Sequence, residues 1–103
     1  MTSQLDILVG MVVTEALQVY DYVQLLFEKD ISLNIYNAWR LGNGDDLRVL
    51  NGATLLTVEE TPEQLPLSFS NGTRLAIDLG DNAYNGPEAL ELHIPGQPTV
   101  VWN

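Results

Sequence analysis

The chain has no cysteine, a single histidine, and only four basic residues among its 103. Each scarcity removes a class of chemistry. Without cysteine there is neither a disulfide scaffold nor a thiolate metal site. One histidine, His93, excludes catalysis by a histidine pair, and a nucleophile–base triad has no visible members. Four lysines and arginines against fourteen acids leave a formal net charge of −10. Such a chain repels nucleic acid and anionic membrane and favours a basic partner. No apolar run approaches the length of a membrane span. The first residues lack the basic region and long apolar run of a secretory leader, so cytosolic residence is expected.

What is present is enough for a fold. Apolar residues make up 46% of the chain, and 103 residues suffice for one domain with one core. The organising feature is an internal repeat, covering about residues 9–41 and 51–92. Phe27-Glu28-Lys29-Asp30-Ile31-Ser32-Leu33-Asn34-Ile35 returns as Phe69-Ser70-Asn71-Gly72-Thr73-Arg74-Leu75-Ala76-Ile77, an offset of 42. Val23, Leu25 and Gly10 match Leu65, Leu67 and Gly52 at the same offset. Asn37-Ala38-Trp39-Arg40-Leu41 matches Glu88-Ala89-Leu90-Glu91-Leu92 at an offset of 51, so the second copy carries about nine extra residues near 80–87.

Parity sets the geometry of each copy. Pairing Phe27 with Ile31, Leu25 with Leu33 and Val23 with Ile35 gathers the apolar residues on one face and leaves a three-residue loop. A slip of one residue would scramble the faces. The second copy pairs Phe69 with Thr73, Leu67 with Leu75 and Leu65 with Ile77. Loops of this length end in a left-handed residue, which Gly72 supplies freely and Asp30 tolerates. Residues 5–9 read as a short opening strand, residues 11–19 and 53–58 as longer ones, and residues 88–94 and 99–102 as the last two. Pro66 cannot donate to a ladder, so its strand should lie at an edge or be bulged there. Eight to ten short strands and no helix predict an all-β protein, an antiparallel sandwich or small open barrel built from two similar units.

Few residues advertise chemistry. Glu91 and His93 share one strand face but lack a third metal ligand. Asp81-Asn82-Ala83-Tyr84-Asn85-Gly86 begins like a calcium loop, yet Ala83 and Leu92 stand where ligands belong. Gly42-Asn43-Gly44 lacks the rest of a phosphate loop, and Asp45-Asp46 would repel phosphate. Asn71-Gly72-Thr73 is a formal glycosylation sequon. No cofactor, no metal and no enzymatic activity are expected.

The carboxylates and tyrosines suggest a binding surface instead. Asp45 and Asp46 lie between the units, Glu59, Glu60 and Glu63 at the second unit's first turn, and Asp81 in the inserted segment. Phe27 and Phe69 belong to the core, and Trp39 and Trp102 are core or half-buried. Tyr20, Tyr22 and Tyr84 sit in or beside turns among acids, a composition suited to a basic protein surface. Tyr84, inside the insertion, is the expected anchor.

The pattern Gly…Val…Leu-x-Leu-x-Phe-x-x-Gly-x-x-Leu-x-Ile resembles small bacterial all-β proteins found beside polymorphic toxins. It is similar to the immunity proteins of contact-dependent growth inhibition systems. The resemblance implies a protein that binds one cognate toxin domain, often a nuclease, and blocks its active site. It transfers no individual residues. The alternative is a structural or ligand-binding β-domain with no toxin partner.

Overall fold

A computed structural model describes residues 3–42, 44, 46–84 and 86–103. The described residues form nine strands: β1 (Val13–Val19), β2 (Tyr22–Phe27), β3 (Ser32–Ile35), β4 (Trp39–Leu41), β5 (Leu55–Val58), β6 (Gln64–Phe69), β7 (Arg74–Asp78), β8 (Leu90–His93) and β9 (Val100–Trp102). They make two antiparallel sheets, ordered β1-β2-β3-β8-β9 and β4-β7-β6-β5. The sheets pack as a sandwich on one cluster of buried side chains, and neither closes into a barrel.

The registers are those that parity demands. In the first hairpin Val23 faces Ile35 and Leu25 faces Leu33, and Phe27 donates its N–H to the Ile31 carbonyl at 2.8 Å. In the second, Leu65 faces Ile77, Leu67 faces Leu75, and Phe69 donates to the Thr73 carbonyl at 2.9 Å. Phe27 and Phe69 are each 2% exposed. The loops differ in one detail. Gly72 alone carries the positive φ of the second, at 84°, whereas Lys29 and Asp30 share it in the first, at 65° and 61°.

The repeat is a pseudo-twofold. Gly10 donates to Leu55 and Gly52 to Val13, both at 2.8 Å, around a bridge between Val12 and Thr54 that joins the two sheets. Both first strands shift register at matching points, Val13/Glu15 and Leu55/Thr57. The closing strands are exchanged. β4 ends the first half but pairs with β7, Leu41 facing Leu75; β8 ends the second half but pairs with β3, Leu92 facing Leu33. Each half therefore completes the other's sheet, as two units too small to bury their own faces must.

Two expectations need correction. Residues 5–9 are not a strand: Gln4–Leu8 is a 3₁₀ turn. The Ser3 hydroxyl accepts from the Leu5 N–H and the Asp6 carboxylate accepts from the Ser3 N–H, a reciprocal cap. Leu5 and Leu8, three apart on such a turn, both point inward and are fully buried. Leu47–Leu50 repeats the device with Leu47 and Leu50. Pro66 is in the inner strand β6, not at an edge. The bonds to β7 fall at 65, 67 and 69, so position 66 needs no donor on that side. On the other side β5 has ended at Val58, and the Glu59 N–H to the Pro66 carbonyl, at 3.2 Å, closes the ladder.

Candidate functional site

The carboxylates singled out in the sequence do not all converge: Glu59, Glu60 and Glu63 lie at one end of the four-stranded sheet, where the Leu79 N–H, two residues before Asp81, donates to the Glu63 carbonyl at 2.9 Å, and Asp46 lies at the other. Asp45 lies outside the described residues. Asp46 caps Leu47–Leu50, accepting from the Arg48 N–H at 3.0 Å, and it grips the Arg48 guanidinium through both oxygens at 3.0 Å. That pairing holds its carboxyl below the usual range and occupies its charge locally. Glu60 accepts the Ser3 hydroxyl at 2.6 Å. Glu59, Glu63 and Asp81 are exposed. Glu63 precedes β6, while the Asp46 turn reaches its far end, where the Asn71 amide donates to the Val49 carbonyl. Six strand residues, roughly 17 Å, separate the two groups. Tyr84 is half-buried and packs against the core, so it is not a free side chain.

Two depressions on the outer faces of the sheets are better formed, and the pseudo-twofold relates them. The larger, about 270 Å³, lies on the four-stranded sheet between Trp39, Arg40, Glu63, Gln64 and Asp78. The smaller, about 110 Å³, lies on the five-stranded sheet between Asp21, Tyr22, Tyr36, Gly86 and Glu88. At the repeat offset of 42, Asp21, Tyr22 and Tyr36 correspond to Glu63, Gln64 and Asp78. The backbone agrees: Thr61 donates to the Gln64 carbonyl where Val19 pairs Tyr22, and Asp78 donates to Ala38 as Tyr36 does to Ala89, each at 2.9 Å. At offset 51, Glu88 and Glu91 correspond to Asn37 and Arg40. The nine-residue insertion, 79–87, adds Gly86 to the smaller depression alone.

The two sites have diverged chemically. The larger mixes charges, with Arg40 among Glu63 and Asp78. The smaller has acids and tyrosines and, among the described residues, no cation in its lining. Tyr22 and Tyr36 meet with ring centroids 5.2 Å apart and planes tilted by 52°. The Tyr36 hydroxyl donates to Glu91 at 2.6 Å, and His93 Nε2 stands 3.5 Å from the same carboxylate oxygen. Burial, and then the bond to Glu91, pushes the Tyr36 phenol up to about 12, so it remains a neutral donor across the physiological range. The sequence reading missed Tyr36 and Glu88. The register that pairs Val23 with Ile35 already places Tyr22 beside Tyr36, so that contact was within reach.

One more side chain stands out. Tyr20, in the two-residue turn between β1 and β2, is 97% exposed and holds a φ of 55°. A bulky residue there is uncommon and signals a turn under strain. Its counterpart in the other half is Pro62. Among the described residues no three Asp, Glu or His side chains gather as a metal site. No family model, curated protein or solved structure matches the chain, so the geometry stands on its own.

Proposed function

We propose that this chain is an immunity protein that binds and neutralises a basic toxin domain, a ribonuclease by preference, with its carboxylates set against the cleft that holds RNA phosphate. The observation that carries this reading is uncompensated charge. Fourteen acids face four bases, and among the described residues Asp46 is the only carboxylate paired with an arginine or lysine. Glu59, Glu63, Asp78 and Asp81 present their charge to solvent. Charge spread in this way steers a basic partner and speeds encounter, and salt weakens the effect beyond about 10 Å.

The test is capture of the partner from the source lysate, followed by an RNA-cleavage assay. Stoichiometric loss of cleavage on adding this protein, with an association rate that falls as salt rises, supports the reading. Captured proteins without a basic surface, or undiminished cleavage, would end it. A second reading, a small-ligand-binding β-domain, is favoured by the mixed-charge depression beside Trp39, where Arg40 could meet a carboxylate and Glu63 an ammonium group. Fragment binding there with no protein partner would select it.

A further inference from the structure

We propose that the smaller depression receives one arginine side chain of the basic partner. The inference deepens the reading above and rests on it for the identity of the partner as a basic protein. Asp21 and Glu88 supply the charge, and the tilted pair of Tyr22 and Tyr36 supplies aromatic surface. A planar guanidinium can stack on a tyrosine and still fork toward a carboxylate, which a compact ammonium does less well. The volume, about 110 Å³, suits one flat head group and is far below the roughly 300 Å³ at which small-molecule pockets begin.

The twin depression is the internal control. It has the same backbone frame, but Arg40 stands where the five-stranded sheet has Glu91, and Gln64 and Asp78 replace the two tyrosines. A cation would meet a like charge there. The remaining bases are also elsewhere: Lys29 is at the opposite end of β2, Arg74 is on the four-stranded sheet, and Arg48 is held by Asp46. The smaller site is thus acidic and aromatic with no internal cation to fill it. Tyr20, 97% exposed, immediately precedes Asp21 in the chain. The fold gives no reason for an aromatic in that turn, since its counterpart is a proline.

The experiment is an amide and side-chain NMR titration of the full chain with N-acetyl-arginine methylamide, and with the lysine and citrulline equivalents. Shift changes should concentrate at Asp21, Tyr22, Tyr36, Gly86 and Glu88, be stronger for arginine than lysine, and be absent with citrulline. The double variant Asp21→Asn/Glu88→Gln should lose at least tenfold in apparent affinity, with the rest of its spectrum showing an intact fold. Changes centred on Glu63 and Asp78, equal changes with citrulline or lysine, or full binding by the double variant would overturn the assignment. An arginine site with no toxin partner would refute only the immunity reading. Neutralisation of a basic toxin without arginine binding here would refute only this one.

Discussion

The two halves share a skeleton and differ in what they show to solvent. Inward positions have changed little: Val23 and Leu65, Leu25 and Leu67, Phe27 and Phe69, Leu33 and Leu75, Ile35 and Ile77 are all buried. Outward positions have changed freely, Tyr22 to Gln64, Tyr36 to Asp78, Glu91 to Arg40. The reason is physical. Inward residues fill one close-packed core built by both halves, where even a methylene is felt. Outward residues are constrained by what binds them. An acid stands on the outside at both Asp21 and Glu63, while its surroundings are acidic and aromatic on one sheet and mixed on the other.

The widest test of that symmetry lies in the core. Phe27→Ala and Phe69→Ala should each cost about 3–5 kcal/mol, and by similar amounts, because each anchors the same place in its half. Urea midpoints measure this. An unchanged midpoint for either would break the equivalence of the two hairpins. Next come the turns. Gly72→Val has room for the new side chain but forces a β-branched residue to φ 84°, at roughly 1–2 kcal/mol. Asp30→Gly, at φ 61°, should be neutral to stabilising by less than about 1 kcal/mol. Thermal melting should separate the pair, and a parent-like midpoint for Gly72→Val would remove the left-handed loop from the account.

The first turns of the two halves sharpen the contrast. Tyr20→Gly relieves the positive φ and should raise stability by about 1 kcal/mol. If Tyr20 is kept for a partner, the same change should weaken binding while the fold becomes more stable, the trade expected of a functional position. Pro62→Gly, at the equivalent place, should instead lower stability slightly and leave binding alone. A Tyr20→Gly variant that binds as tightly as the parent would make the residue a bystander.

How much of this was legible in the sequence follows from the physics of each signal. The hairpin registers were legible because strand parity is strict and the pattern occurs twice. The exchange of β4 and β8 was not, because a change of offset marks an insertion and says nothing about which sheet a strand joins. Residues 5–9 misled because a short apolar run fits a strand and a single helical turn equally well. The better guide was Ser3 with Asp6, a capping pair. Charge was legible in amount but not in disposition: Asp46 is spoken for by a partner two residues away. Tyr84 and Tyr20 looked alike as turn tyrosines, yet one rests on the core and the other is exposed.

A last test of the asymmetry lies at Tyr36, whose counterpart in the other hairpin is Asp78. The Tyr36 phenol is pushed from 10.0 up to about 12, first by burial and then by its bond to Glu91. The folded state therefore keeps this proton through a range in which the unfolded chain releases it. Stability depends on pH as the difference in bound protons, so the contribution is fully present below about pH 10 and is lost as pH rises toward 12. Tyr36→Phe keeps the ring beside Tyr22 and removes the titrating group. At neutral pH the variant should be less stable, since Glu91 loses its 2.6 Å donor. Between pH 10 and 12 the gap between parent and variant in thermal or urea midpoint should close. A gap that stays constant over that range would mean that the phenol has the same affinity for its proton in both states, and that the Tyr36–Glu91 contact does not set it.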